Sequence, residues 1–277
     1  MPLTYKEKST LFIIALFTAI SILLAFSSAT SGALEVHFFD IGQGDAIFIR
    51  TPHGNTMLID GGPDAKIVER LGKVATIWER RIDLVVATHM DADHIGGLLD
   101  VFKRFDVGGV VVSSSASGTK LADTFWSVIL EKQIPVFIAE RGDLFHLDSE
   151  VELLTISPTP QLRGIGSDNN QSLVFKLTYK NDSFLLTGDA ERPAELIMLA
   201  DGVNIDSDVL KIGHHGSNSS TVQGFIDKVT PATAVIQVGE NRYGHPHQAV
   251  LSRLDGITLL RNDLNGGIVL YSYGDSF

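Results

Sequence analysis

The stretch Thr88-His89-Met90-Asp91-Ala92-Asp93-His94-Ile95-Gly96-Gly97 constrains this chain more than any other. It follows an unbroken apolar run, Leu84–Ala87, that reads as a buried β-strand. Four side chains able to ligate a metal thus fall within six residues, where a loop leaves a strand end. The spacing His-x-Asp-x-Asp-His alternates the donors, so that His89 and Asp91 can face one ion while Asp93 and His94 face a second. Gly96 and Gly97 let the next helix start close to the site. For Asp93 alone a helix cap is the simpler role; four donors together call for a cation. The chain has no cysteine, which excludes disulfides and thiolate catalysis. Any transition-metal site must therefore be built from His, Asp and Glu.

Upstream, Lys6 and Lys8 precede an apolar run from Leu11 to Phe26, broken only by Thr18 and Ser21, and then the small residues Ser27–Ala33. This layout predicts a secretory signal cleaved after Ala33. An uncleaved anchor is the alternative, because the run of sixteen residues is intermediate between a usual signal core and the roughly 20 that span a bilayer. Either way residues 1–33 are a targeting or anchoring segment, and residues 34–277 form one extracytoplasmic domain, secreted, periplasmic or membrane-anchored. The formal net charge is −11, the wrong sign for holding a nucleic-acid backbone by bulk electrostatics. A DNA or RNA partner would have to be gripped locally.

From Leu34 onward, short β-branched or aromatic runs are punctuated by Gly, Asn and Asp. The pattern predicts strands at 35–39, 46–50, 56–60, 84–88, 110–112, 135–138, 151–156, 173–179, 184–187, 209–212, 234–238, 258–260 and 268–271. Helical periodicity is expected at 64–80, 97–105, 123–132, 192–200 and 248–254. Early strands come as hairpins and later ones alternate with helices, which predicts an α/β fold of two sheets packed face to face with helices outside.

The metal loop resembles the His-x-His-x-Asp-His signature of the metallo-β-lactamase superfamily, with Asp91 in place of the second histidine. That exchange resembles the branch formed by the C-terminal domain of the ComEC/Rec2 competence proteins and its stand-alone relatives. Further stretches resemble the branch in the same order: Asp40-Ile41-Gly42-Gln43-Gly44-Asp45-Ala46, Leu58-Ile59-Asp60-Gly61-Gly62, Asn169-Asn170-Gln171-Ser172-Leu173-Val174 and Leu185-Leu186-Thr187-Gly188-Asp189. After these come Leu210-Lys211-Ile212-Gly213-His214-His215-Gly216-Ser217, Tyr243-Gly244-His245-Pro246, and Arg261-Asn262-Asp263 through Gly267-Ile268. The likeness covers nearly all of Leu34 to Tyr271.

The resemblance implies a four-layer αββα sandwich of two mixed sheets carrying two divalent ions. It implies the ligand set His89, Asp91, Asp93, His94, Asp189 and His214, with Asp189 bridging. His214 is favoured over His215 as the ligand, leaving His215 behind it or facing substrate, and the sequence does not decide between them. Asp93, His215 and His245 are the expected catalytic groups, His245 contacting substrate or protonating a leaving group. Asn169, Asn170 and Ser217 are expected to bind substrate, and Asp40, Asp45 and Asp60 to hold ligand histidines in one tautomer. No imidazole stands near Asp168, Asn169 and Asn170, where the superfamily usually has one. The resulting set of three carboxylates and three imidazoles is harder than a histidine-rich zinc site and shifts the preference toward Mn²⁺ without excluding Zn²⁺. The implied activity is hydrolysis of a phosphodiester, DNA foremost. The alternatives are a small phosphocholine, lipid or cell-wall diester, or a metal-binding or partner-binding module without turnover.

Overall fold

The computed structural model describes residues 13–18, 32–74, 80–114 and 118–275. Apart from a helical stretch at 13–18 and residues 32–33, the expected targeting segment lies outside the described residues. Among the described residues no helix is long and apolar enough to cross a membrane.

The β-branched and aromatic runs become strands. The first set is Leu34–Phe38 (β1), Ile47–Arg50 (β2), Thr56–Ile59 (β3), Arg81–Ile82 (β4), Leu84–Ala87 (β5), Asp106–Val107 (β6), Val110–Val112 (β7) and Val136–Ile138 (β8). The second is Leu144–His146 (β9), Val151–Ser157 (β10), Val174–Tyr179 (β11), Asp182–Leu186 (β12), Val209–Lys211 (β13), Thr233–Ile236 (β14), Thr258–Arg261 (β15) and Ile268–Ser272 (β16). They assemble into two mixed seven-stranded sheets, in the orders β16-β1-β2-β3-β5-β7-β8 and β15-β14-β13-β12-β11-β10-β9, with β4 and β6 as a small separate pair. β1, β2 and β3 form an antiparallel meander, after which β3, β5, β7 and β8 run parallel through helical crossovers. The second sheet repeats that change, antiparallel from β9 to β12 and parallel from β12 to β15.

Apolar residues on both faces of the central strands dictate what each sheet must touch. The inner faces meet in a core that includes Val36, Phe38, Ile59, Val86, Leu173, Phe175, Phe184 and Leu186. On the outer face of the first sheet lie helices Lys66–Val74 (α1), Leu98–Arg104 (α3) and Lys120–Lys132 (α4), sealing Leu58, Val85, Val110 and Phe125. Helices Arg192–Ala200 (α5), Gln223–Val229 (α6) and Gln248–Arg253 (α7) do the same for the second sheet around Leu185, Leu210 and Ile236. The product is the expected αββα sandwich. Ala92–Ile95 (α2) lies in the metal loop, and Asn262–Asn265 (α8) follows β15.

The thirteen predicted strands are present, with ends displaced by at most two residues. Pattern reading misses β4, β6 and β9, which have two or three residues each, too few for alternation to show. It also misses α2, α6 and α8. A cavity of about 510 Å³ opens near the start of β3 and β5, against Ile49, Met57, Leu84, Leu144 and Leu147. No group of metal-ligating side chains lines it among the described residues. The strand ends leading to Thr88, Thr187 and Ile212 converge at the other end of the sheets, and the chemistry gathers there.

Candidate metal centre

β5 ends at Ala87, and the loop that follows carries His89 inward, fully buried, before α2 brings in Asp93 and His94. β12 delivers Asp189 through Gly188, and β13 delivers His214 and His215 through Gly213. Among the described residues four groups of ligand atoms each lie within 4.8 Å, two of them combining Asp45 with Asp60 and His94 or with Asp189 and His215, and the other two being His89, His94 and Asp189, and Asp93, His94 and His215. His94 Nε2 is 3.3 Å from Asp189 Oδ2, and His215 Nε2 is 3.4 Å from both Asp189 Oδ2 and Asp93 Oδ2. Asp91 stands at the rim, half-exposed, 3.7 Å from His89 Nε2.

Whether a cation fits is decided by the other nitrogen of each ring. His94 Nδ1 is 2.8 Å from Asp60 Oδ2, and His215 Nδ1 is 2.9 Å from the Gln237 carbonyl, so both donate there. His89 Nδ1 lies 3.1 Å from the Thr88 hydroxyl, whose proton goes to Asp60 at 2.7 Å, so Thr88 Oγ1 accepts from the ring. In their neutral form all three imidazoles thereby present Nε2 as the lone-pair nitrogen. The Nε2 atoms of His89, His94 and His215 are buried and, like Asp189 Oδ1, form no hydrogen bond among the described residues. A stranded buried polar atom costs about 1–3 kcal/mol, and three imidazole lone pairs aimed into one space suit a divalent cation.

The electrostatics agree. Burial opposes a charge on His94 and His215, but Asp189 beside both outweighs it, and each imidazole is raised well above 6.5. Burial likewise pushes Asp93 up, while the nearness of His215 and the charge of His94 prevail and lower it to about 2. The cluster attracts positive charge. At formal charge the carboxylates of Asp45, Asp60, Asp91, Asp93 and Asp189 face one buried ammonium, Lys211, and two divalent cations would bring the group to neutrality. Lys211 Nζ donates to the Gly188 carbonyl at 2.8 Å and pairs with Asp45, whose other oxygen is 3.3 Å from His215 Nδ1.

Local backbone geometry builds this precision. Asp60, His214 and His215 all adopt left-handed φ of 57°, 46° and 53°, a strained region for side-chain-bearing residues that persists only where the surroundings enforce it. Gly44 brings the Asp40–Asp45 loop so close to the Asp93 carbonyl that a Cβ there has no space.

Several expected roles shift. The two adjacent histidines exchange: His215 is buried against Asp93 and Asp189, whereas His214 lies farther out, its Nε2 4.0 Å from Asp189 Oδ2. Left-handed turns at both residues send the second ring inward. His214 Nδ1 instead meets Glu191 Oε1 at 3.1 Å. Asp40 is not behind a ligand histidine; it pairs with Lys66 and Arg70 at 3.3 and 3.1 Å. Asp60 and Asp45 do stand behind His94 and His215. Asn170 is fully buried and occupied with Glu191 and the Ala194 amide, and Ser217 bonds Ser219, so neither lines the pocket. Asn169 touches the His214 ring at 3.4 Å. His245 lines the pocket, and burial, with His214 and His215 nearby, lowers it to about 4, leaving a neutral ring at pH 7 rather than an acid.

The pocket itself has a volume of about 410 Å³, walled by Gln43, Asp91, Asp93, Asp189, His214, His215, Tyr243 and His245. Glu191 and Lys211 escaped the sequence reading. A lysine inside the apolar run Val209–Ile212 is the signal that marks Lys211, and an acid two residues past Asp189 marks Glu191.

A buried His/Asp cluster where the strands of two packed sheets end, with helices outside, defines a metal-dependent hydrolase fold, and the chain belongs to the metallo-β-lactamase superfamily, whose family profile matches residues 39–240. Among curated relatives, ComE operon protein 3 of Bacillus subtilis is 34% identical over 255 residues, covering 84% of this chain and 32% of that protein. Competence protein ComA of Neisseria gonorrhoeae is 30% identical, covering 84% and 31%, and Recombination protein 2 of Haemophilus influenzae 27% identical, covering 84% and 28%. The chain spans about a third of the length of these relatives. CmlA, a diiron β-hydroxylase from Streptomyces venezuelae, shares the fold with a TM-score of 0.56 at 17% identity, over 86% of this chain and 54% of CmlA.

Proposed function

We propose that this chain is an exported, metal-dependent phosphodiesterase with nucleic acid as its leading substrate. The observation that carries the reading is the convergence of the three unpaired Nε2 atoms on carboxylates at the floor of an open pocket. His89, Asp91, Asp189, Asp93, His94 and His215 would hold two divalent ions, Mn²⁺ or Zn²⁺, the carboxylate share favouring the harder Mn²⁺. When bound, such ions polarise a phosphoryl oxygen and lower the pKa of a water.

The chain's own residues supply the rest. Asp60, the Gln237 carbonyl and Thr88 fix the ligand rings, so no reorganisation is needed as charge develops. Glu191 holds His214 at the pocket wall, where it meets an anionic substrate oxygen or the departing one. A metal-neutralised cluster tolerates the single negative charge of a diester. The relatives, named for competence and recombination, direct the choice among diesters toward DNA. Export rests on the apolar run from Leu11 to Phe26. A second reading, a small phosphocholine, lipid or cell-wall diester, draws on the net charge of −11, which penalises a polyanion.

The test is metal content together with turnover of a simple phosphodiester, single- and double-stranded DNA and a β-lactam by Mn²⁺- and Zn²⁺-loaded protein. Diester cleavage that falls by at least a hundredfold in Asp93→Ala is expected. Metal uptake with no turnover of any substrate would instead identify a binding module, and undiminished activity in Asp93→Ala would sink the assignment.

A further inference from the structure

One wall of the pocket is the loop 239–247, and two of its residues have no part in the cluster. Tyr243 lines the cavity alongside Asp93, Asp189 and His214 while the residue remains 63% exposed. Arg242 lies 5.6 Å from the Tyr243 ring centre and makes no ion pair or hydrogen bond among the described residues. In a chain with 33 acidic residues against 22 basic ones, an uncommitted guanidinium set against a pocket-lining tyrosine stands out.

We propose that Tyr243 and Arg242 form a subsite for the base of a nucleotide next to the phosphate held at the cluster. The proposal rests on the phosphodiesterase reading of the same pocket and names what flanks the scissile bond. The rings make a file leading out from the cluster: His245 is 5.4 Å from His214, and Tyr243 is 5.7 Å from His245, tilted by 30°. A flat aromatic group leaving the cluster meets the Tyr243 face, where stacking tolerates any base. The guanidinium adds a planar cation that both stacks and binds phosphate oxygens.

The platform is rigid before any substrate arrives. Asn241 Oδ1 accepts from the amides of Tyr243 and His245, each at 3.0 Å, and Asn241 Nδ2 donates to the carbonyls of Gly239 and His245. The His247 amide donates to the Gly216 carbonyl at 2.8 Å, beside His215. A Cβ on Gly216 would lie 2.6 Å from Pro246 Cβ, so the loop is seated directly on the segment carrying the two histidines. Pre-organisation of this kind lowers the ordering cost of binding.

The test compares thymidine 5′-(p-nitrophenyl phosphate) with methyl p-nitrophenyl phosphate, which share a leaving group and differ by a nucleoside, on the metal-loaded full chain. Tyr243→Ala is expected to lower kcat/KM for the nucleoside diester about tenfold more than for the methyl diester. Tyr243→Phe restores the ratio, and Arg242→Ala lowers it in the same direction. Equal losses on both substrates in Tyr243→Ala, or preference for p-nitrophenyl phosphorylcholine over the nucleoside diester, would overturn the subsite and leave the phosphodiesterase reading intact. If neither diester turns over, that reading fails, and fluorescence anisotropy with labelled oligothymidylate against its abasic counterpart decides the subsite by itself. Preference for the base-bearing strand, lost in Tyr243→Ala, supports it; no preference overturns it.

Discussion

Glu191 is the residue through which the pocket wall is organised. Its carboxylate takes hydrogen bonds from His214 Nδ1 at 3.1 Å, the Ser219 hydroxyl at 2.7 Å, the Ser167 hydroxyl at 2.6 Å and Asn170 Nδ2 at 3.2 Å. The bond from His214 is the largest influence on it, and despite the opposing effect of burial the carboxyl is lowered to about 2. Glu191→Gln keeps the shape but not the anionic acceptor, freeing the His214 ring. Turnover is expected to fall roughly 10- to 100-fold, the usual cost of losing such a supporting partner, while bound metal measured by elemental analysis stays at the parental level. Loss of metal from this variant would instead make His214 a ligand. Residue identity and spacing made His89, Asp91, Asp93 and His94 legible in the sequence, because a strand end followed by alternating donors is the arrangement a bound cation requires. The roles of His214 and His215 were not legible, since adjacent identical residues differ only in backbone φ and ψ, which no spacing records.

At the scale of elements, strand positions were readable wherever apolar residues alternate or cluster, as in β5, β10 and β11. The short β4, β6 and β9 were not, because their pairing is imposed by neighbours rather than by their own pattern. Helix α6 was missed for a related reason: its start is satisfied from another element. Glu195 of α5 accepts the amides of Thr221 and Val222, the residues entering α6, in place of a local cap. Burial is the main influence on Glu195 and raises it from 4.5 to about 7, only partly offset by those two amides. A carboxyl raised on folding holds its proton more tightly in the native state. Its contribution is therefore fully present below about pH 4.5 and is lost as pH rises through about 7. Relative to Glu195→Gln, the parent should lose stability over that window by on the order of 1 kcal/mol per pH unit and then level off, as followed by urea unfolding at stepped pH. A constant difference between the two across the window would contradict this account.

For the whole molecule, the two sheets carry the cluster between them. Ligands come from the first sheet through His89, Asp93 and His94 and from the second through Asp189 and His215. A cation bound there ties both halves together in the native state and has no equivalent site in the unfolded chain, so it stabilises by mass action. Adding Mn²⁺ or Zn²⁺ to chelator-treated protein should raise Tm by several degrees at saturating metal, with the rise abolished in Asp189→Asn. An unchanged Tm in scanning calorimetry would count against occupancy of the cluster. The four-layer plan was readable in the sequence because hydrophobic patterning alone specifies which faces must be covered. The pairing order of the strands was not, since it depends on contacts between distant segments such as β1 and β16.

The direction of β1 settles which way the molecule faces. Leu34 opens the strand opposite Ser272, and Gly32 beside it meets the Tyr179 hydroxyl, whereas the strand's far end leads into the Asp40–Asp45 loop at the cluster. Gly32 and Leu34 therefore lie at the base of the sandwich, about 17 Å of strand away from the pocket floor. The mouth of the pocket therefore opens at the opposite end of the sandwich from Gly32.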